Sequence, residues 1–100
     1  TSKEISMTDA NLYLIQASFD STATSLAQLN AMYAPQDSVV LMGDAVLHQH
    51  HPLCAQLDKI YVLENDAEIL NGHLAKNVHP IDYAAFATLC LVHQRCISLK

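Results

Sequence analysis

Three histidines and a cysteine lie close together in the middle of the chain, at His48, His50, His51 and Cys54. Imidazole and thiolate groups bind zinc and similar metals, so this cluster is the first candidate for chemistry. Zinc sites in proteins usually draw their ligands from two separated turns, and Pro52 interrupts the helical spacing that would align these side chains. We therefore expect a polar, solvent-exposed loop here, with no bound metal or other cofactor.

The cysteines are the second candidates, because a thiolate can act as a nucleophile. The chain has Cys54, Cys90 and Cys96, an odd number without CxxC spacing, which argues against a disulfide framework or a zinc ribbon. Cys90 lies inside a predicted helix and is expected in the core. Cys96 follows the cation Arg95, and Cys54 follows the histidines. Both are weak catalytic candidates, and no residue is assigned as catalytic.

Acidic side chains follow two of the apolar segments, at Asp44, Glu64 and Asp66. Binding surfaces of open α/β sheets lie where the strands end, so these carboxylates could form an acid–base set. The chain offers no glycine-rich phosphate loop and no serine in a nucleophile elbow beside them. We interpret them as helix caps or solvent-exposed groups, with Asn65 or Asp66 capping the next helix.

The composition limits the class of protein. One hundred residues with 51% hydrophobic content make one small domain, residues 11–100, preceded by a flexible arm, residues 1–10. A formal charge of −5 with only 5 Lys plus Arg argues against direct nucleic-acid binding. No apolar run approaches the roughly 18 residues of a membrane span, and the amino-terminal residues do not resemble a signal peptide. We expect a soluble, cytoplasmic protein without membrane contact.

The elements that position these groups alternate between strand and helix. Apolar β-rich runs predict strands at residues 12–15, 38–42, 59–63, 78–81 and 96–99. The first helix is expected to begin near Ser18, Asp20 and Ser21 and to end before Pro35. Pro52 separates two short helices, and Pro80 predicts an edge position for the fourth strand. Alternation of this kind predicts a three-layer α/β/α fold with a mostly parallel sheet of about five strands.

The last predicted helix follows Asp82, a residue suited to the N-cap position. Its apolar residues recur at helical spacing, which indicates one buried face. The members of that face are Ala85, Phe86, Leu89, Cys90 and His93.

Two stretches together resemble the TusB/DsrH family of sulfur-relay subunits. They are IYVLENDAEILNG at residues 60–72 and IDYAAFATLCLVH at residues 81–93. The residues that match the family pattern are Leu63, Glu64, Asn65, Asp66, Ile81, Asp82, Tyr83, Phe86 and His93. Upstream, VVLMGDAV at residues 39–46 is similar to the family's strand ending Q-D-G-V, with Gly43 and Ala45 as departures.

The resemblance implies a DsrE-like, flavodoxin-like domain in a heterohexamer with TusC/DsrF-like and TusD/DsrE-like subunits. In such complexes the main sulfur-accepting cysteine lies on the TusD/DsrE-like subunit. Some DsrH members carry a cysteine in the first helix, but residues 25–36 contain none here. The family-motif residues expected at an interface are Asp44, Glu64, Asn65, Asp66, Asp82 and Tyr83.

The resemblance therefore implies a non-catalytic subunit of a cytoplasmic persulfide-transfer complex that supports 2-thiolation of the wobble uridine in transfer RNA. Two alternatives stay open. One is a thiol-dependent sulfurtransferase in its own right, and the other is a subunit of a dissimilatory sulfur-oxidation complex. When isolated, an obligate subunit of this kind could form a homo-oligomer.

Overall fold

The computed structural model describes residues 10–16, 18–34 and 36–99. Its elements in chain order are β1 (Asn11–Ile15), α1 (Phe19–Met32), β2 (Ser38–Leu41), a first 3-10 helix (Gly43–His48), α2 (Pro52–Ala55), β3 (Ile60–Leu63), α3 (Glu64–Ala67), a second 3-10 helix (Glu68–Leu70), β4 (Val78–Ile81), α4 (Tyr83–Val92) and β5 (Arg95–Leu99). Each predicted strand is present, with its ends within one residue of the prediction. The predicted arm lies outside the described residues apart from Ala10, which is buried.

The five strands form one all-parallel sheet in the order β4-β3-β2-β1-β5. This confirms the predicted α/β class with its mostly parallel sheet. β2, β3 and β4 follow one another on one side of β1, and β5 alone returns to the other side. In the flavodoxin order β1 lies between β2 and β3, whereas here it lies between β2 and β5.

The main core lies on one face of this sheet. Successive strand residues point to opposite faces, and Tyr13, Val39 and Ile60 belong to one buried cluster with Leu26 and Leu29 of α1. The first 3-10 helix and α2 contribute further buried side chains to the same cluster. Three successive crossovers in one direction therefore place α1, the 3-10 helices, α2 and α3 on a common side.

α4 lies on the opposite face. Nε2 of His93, at the end of α4, is 3.0 Å from Oγ of Ser38, a β2 residue whose neighbour Val39 points into the main core. Leu12 and Val40 point to the α4 side and are fully buried. The crossover from β4 back to β5 runs in the reverse direction, so a right-handed connection places its helix on the second face and completes three layers.

α1 begins and ends where the sequence predicts, but its first turn is held by other contacts than a side-chain cap. Ser18 occupies the N-cap position but makes no capping hydrogen bond with its side chain, which instead donates to Oγ of Ser21. The hydroxyl of Thr22 donates to the carbonyl of Ser18 at 2.7 Å and holds this first turn. Asp20 is exposed in the same turn, where its charge favours the helix dipole. The helix ends at Met32, and Pro35, the predicted stop, lies outside the described residues.

The segment around Pro52 forms the two short helices that the sequence predicts. Pro52 is the first residue of α2, where its missing amide costs no hydrogen bond. Nδ1 of His51 accepts a hydrogen bond from the amide of Leu53 at 3.1 Å and caps this helix. Pro80 lies in β4, which is an edge strand, as predicted. No helix within the described ranges is long and apolar enough to cross a membrane.

Candidate functional site

The carboxyl edge of the sheet gathers the acidic residues that the sequence singles out. β2, β3 and β4 are parallel, so the segments that follow them meet at this edge. Asp66 is half-buried, and its Oδ2 accepts a hydrogen bond from the amide of Gly43 at 3.0 Å. Asp44, Glu64 and Asn65 are exposed to solvent. Of the predicted acid–base set, only Asp66 therefore makes a contact across two strand ends.

The predicted capping role of Asn65 or Asp66 is wrong. β3 passes directly into α3, whose first residue is Glu64 and whose N-cap is Leu63, without a side-chain cap. Leu63 has the extended backbone of a strand, with φ −70° and ψ 142°, so strand and helix share one junction. Asn65 and Asp66 then fall inside the first helical turn, where an acidic group favours the helix dipole. The Asp66 carboxylate is used instead to bond the neighbouring turn.

The backbone conformation of Gly43 allows its hydrogen bond with Asp66. Its φ is +59°, a left-handed conformation that glycine adopts without steric cost. The residue begins the 3-10 helix that follows β2, and its amide faces the Asp66 carboxylate. Asp66 and Gly43 thus fix the two adjacent strand ends to each other. The described residues enclose no pocket, so this edge is a surface rather than a cavity.

The start of α4 agrees with its prediction. Asp82 is the N-cap, and its Oδ1 accepts a hydrogen bond from the amide of Ala85 at 2.8 Å. Tyr83, the first residue of the helix, is 62% exposed. The family-motif residues therefore divide into two that hold turns, Asp66 and Asp82, and four that face solvent, Asp44, Glu64, Asn65 and Tyr83.

α4 is an apolar helix that is incompletely covered. The sequence YAAFATLCLV contains no charged residue, yet none of its side chains is fully buried. Its predicted inner residues, Ala85, Phe86, Leu89 and Cys90, are half-buried, and the face ends at the buried His93. On the outer side Leu91 is 75% exposed. An uncharged helix with this exposure is typical of a surface that a protein partner covers.

The cysteines divide into one buried thiol and one adjacent pair. Cys54 is fully buried in the main core, and burial raises the pKa of its thiol from 9.0 to about 11. Such a thiol is protonated at neutral pH and inaccessible, which argues against Cys54 as a nucleophile. Cys96 is exposed on β5 and lies beside Cys90 of α4. Arg95 precedes Cys96 in the strand and points to the opposite face, so it does not supply the expected cation.

The expected solvent-exposed loop is wrong, because the segment forms two short helices and buries Cys54, and its histidines serve local structure. The rings of His48 and His51 are tilted, with centroids 6.2 Å apart, and Nδ1 of His51 is engaged as a helix cap. Across the described part of the chain, no three His, Cys, Asp or Glu side chains are placed to hold a metal ion. His93 is buried and hydrogen-bonded, in agreement with its predicted place on the buried face of the last helix.

Among the buried polar residues that sequence reasoning missed, two make hydrogen bonds to distant segments. Asp37 accepts hydrogen bonds from the amides of Asn11 and Ala34, each at 2.9 Å. Gln49 donates to the carbonyl of His73 at 2.6 Å and accepts from the amide of Ala75 at 2.8 Å. Both join segments far apart in sequence, so no local pattern could indicate them. The proximity of Cys90 to Cys96, six residues apart, was missed because it depends on how β5 packs beside α4.

Comparison with protein-family models finds a match over most of the chain. A protein-family model described as DsrH like protein matches residues 20–96, about three quarters of the chain. A search of curated proteins finds no match. The matched region runs from the first turn of α1 to Cys96 in β5, and it includes the segments that follow β2, β3 and β4 together with α4.

Proposed function

The chain belongs to the DsrH-like family, and we propose that it acts as a non-catalytic subunit of a persulfide-transfer complex. Membership of this family gives the chain a role related to sulfur relay. The proposal adds that this role is one of assembly, and that sulfur passes through a cysteine of another subunit. It further assigns the complex to 2-thiolation of the wobble uridine in transfer RNA.

The exposure of α4 is the observation that carries the assembly role. Ten consecutive residues without a charge form this helix, and Leu91 and Tyr83 on it are 75% and 62% exposed. Exposed apolar surface of this kind costs free energy in water. A partner that covers it recovers about 25 cal/mol for each Å² of apolar area buried. A polar rim of Asp82 and neighbouring acidic turns borders the helix start, which is the usual anatomy of an interface.

The cysteines support a non-catalytic role. α1 contains no cysteine, although some family members carry one in that helix. Cys54 is buried, with its pKa raised to about 11 by burial, so it cannot be reached by a persulfide donor in the folded chain. The remaining thiols lie on the α4 side of β5, away from the carboxyl edge where the family-motif residues gather.

The proposed partners are TusC/DsrF-like and TusD/DsrE-like subunits, arranged with this chain in a cytoplasmic heterohexamer. The formal charge of −5 favours a protein partner over direct contact with transfer RNA, because few cations are available to replace phosphate counterions. An isolated chain would leave α4 uncovered. We therefore expect homo-oligomers or poor solubility without the partners.

Co-expression with the two paralogous subunits, followed by native mass spectrometry, tests the assembly role. The variant Leu91→Glu places a charge on the outer side of α4, and we expect it to weaken assembly at least about tenfold. Met32→Glu is the matched control, because Met32 is 46% exposed at the end of α1 on the other face of the sheet. Equal assembly of both variants, or a wild-type chain that stays monomeric beside the paralogues, would contradict the proposal.

Deletion of the chain from its source cell tests the pathway. Loss of 2-thiouridine from transfer RNA, restored by the wild-type chain and by Cys54→Ala, is the expected result. Normal 2-thiouridine together with impaired oxidation of stored sulfur would assign the complex to the alternative pathway of dissimilatory sulfur oxidation.

The exposure of Cys96 favours a second candidate function, a sulfurtransferase in its own right. In that case Cys96 would take the outer sulfur of a donor persulfide, and the donor would leave as a thiolate. Incubation with a persulfide donor, followed by intact-mass measurement, separates the two candidates. Relay that continues in the Cys96→Ser variant supports the assembly role, and relay that stops supports the second candidate.

A further inference from the structure

Two thiols from different layers meet at the free edge of the second sheet face. Cys90 belongs to the last turn of α4, and Cys96 is the second residue of β5. Cys96 pairs in register with Leu12, which points to the α4 side, so its thiol points to the same side. Sγ of Cys96 lies 3.9 Å from the carbonyl oxygen of Cys90. This contact places the exposed thiol of Cys96 beside Cys90.

The two thiols differ in access. Cys96 is exposed, whereas Cys90 is half-buried. Burial is the first cause that raises the pKa of Cys90, and the hydrogen bond and charge of Cys96 raise it further. A reagent in solution therefore reaches Cys96 first, and Cys90 is positioned to react with whatever is attached there. The arrangement is that of an attacking and a resolving cysteine.

We propose that Cys90 and Cys96 form a thiol–disulfide exchange site whose substrate is a low-molecular-weight disulfide. The site interconverts between a dithiol and an intramolecular disulfide. It rests on the positions of the two side chains and does not depend on the proposed assembly role.

The exchange proceeds in two steps. The Cys96 thiolate attacks one sulfur of the disulfide RSSR, forms a Cys96–S–S–R mixed disulfide and releases one RS⁻. The Cys90 thiolate then attacks the Cys96 sulfur, the Cys96–S–S–R bond breaks, and a second RS⁻ leaves. The two cysteines lose two electrons, the disulfide gains them, and the two thiol protons pass to the released thiolates or to water.

Closure of this bond would join α4 to β5 covalently. The two cysteines flank the short connection at His93 and Gln94, where the amide of Gln94 already donates to the carbonyl of Ala10 at 2.9 Å. The edge strand would then be held to the helix on its own face as well as to β1. The oxidised form would therefore hold α4 on the sheet by a covalent bond, where the reduced form relies on half-buried side chains and on the contact of His93 with Ser38.

The position of basic residues makes the disulfide directly measurable. Trypsin cleaves after Lys59, Lys76 and Arg95, which places Cys54, Cys90 and Cys96 in three separate peptides, residues 4–59, 77–95 and 96–100. Any disulfide between two of the three cysteines therefore joins a different pair of peptides. Cys54, buried in the core, serves as an internal control in the same molecule.

The experiment equilibrates the full chain with oxidised and reduced glutathione, quenches with an alkylating agent and maps the tryptic peptides. We expect peptides 77–95 and 96–100 to be joined in an amount that rises with the oxidised fraction and reverses with dithiothreitol. Cys54, in peptide 4–59, should become alkylated only after the chain is unfolded. Linkage through Cys54, disulfide-linked dimers, or separate glutathione adducts on Cys90 and Cys96 would overturn the proposal.

Two variants test the assigned order of attack. Cys90→Ser should stop at a glutathione adduct on Cys96, because no resolving thiol remains. Cys96→Ser should form adducts at least about tenfold more slowly, because Cys90 is half-buried and the pKa of its thiol is raised by burial. Circular dichroism checks that both variants fold. Equal adduct rates in the two variants would contradict the proposal that Cys96 reacts first. The peptide map of the wild-type chain tests the Cys90–Cys96 disulfide independently of both variants.

Discussion

The carboxylate of Asp66 and the amide of Gly43 are hydrogen-bonded at 3.0 Å, across 23 residues of sequence. The first turn of α3 and the turn after β2 are thereby fixed to each other. This contact explains why an acidic residue stands at this place in the turn, although it does not cap the helix. It also makes the carboxyl edge a defined surface, which an interface with paralogous subunits would need.

Replacement of Asp66 by alanine is expected to lower the free energy of unfolding by about 1–3 kcal/mol. The change removes a charged acceptor and leaves the half-buried amide of Gly43 without this partner. Glu64→Ala is the matched control, because Glu64 is an exposed acid in the same turn and should change stability by less than about 0.5 kcal/mol. Urea unfolding measures both. Equal losses in the two variants would show that charge in the turn, rather than the Gly43 contact, is responsible.

Asp37 is expected to be more sensitive. Its carboxylate is buried and accepts from two backbone amides, one at the start of β1 and one after α1. Asp37→Ala should cost about 2–4 kcal/mol, because two amides lose a charged acceptor, and Asp37→Asn should cost less because one oxygen remains. Asp44→Ala, at an exposed position, is the control. We expect Asp37→Ala to lose the most stability, Asp37→Asn to lose less and the control to lose the least. An Asp37→Asn variant as unstable as Asp37→Ala would refute this prediction.

His93 and Ser38 should be energetically coupled. Nδ1 of His93 lies 2.7 Å from the carbonyl oxygen of Leu89, which can only accept, so Nδ1 carries a proton. In the neutral ring Nε2 then accepts from the Ser38 hydroxyl at 3.0 Å. We expect a coupling of about 0.5–1.5 kcal/mol in a double-mutant cycle of His93→Ala and Ser38→Ala. A cycle of His79→Ala and Ser38→Ala, with His79 exposed on β4, should show none.

Alkaline pH should lower the stability of the fold, because the thiol of Cys54 is buried. Its pKa is raised from 9.0 to about 11 by burial, so the fold favours the neutral thiol. That stabilisation is fully present below pH 9 and is lost as the pH rises towards 11, with a limit of about 2–3 kcal/mol. Tyr33 and Cys90 also have raised pKa values, so the measured quantity is the difference between wild type and Cys54→Ala. A difference that does not change between pH 8 and 11 would contradict this prediction.

The strands could be predicted because their apolar β-rich runs are local signals. The same holds for the inner face of α4, where Ala85, Leu89 and His93 recur at helical spacing and lie towards the sheet. Pro80 correctly indicated an edge strand, since proline removes a donor that a central strand needs. Elements whose burial follows a simple period are thus recoverable from one sequence.

Contacts between distant segments could not be predicted. An aspartate at position 66 suggested an N-cap at that residue. The extended backbone of Leu63 instead makes Leu63 the N-cap, so the helix begins three residues earlier. The contact of Cys90 with Cys96 depends on β5 pairing with β1, and strand order has no local signal. Asp37 and Gln49 act across 26 residues each, so their roles follow only from the tertiary structure.

The return of β5 to the free side of β1 has a consequence for folding kinetics. β2, β3 and β4 each pair with the preceding strand, whereas β5 pairs Arg95 with Asn11 at the opposite end of the described chain. Closing so long a loop carries the largest entropy cost of any strand pairing here, so we expect it to form last. Until then α4 cannot settle on its face, and Leu12 and Val40 stay in water. The late step in folding is therefore also the period when this chain is most prone to aggregate.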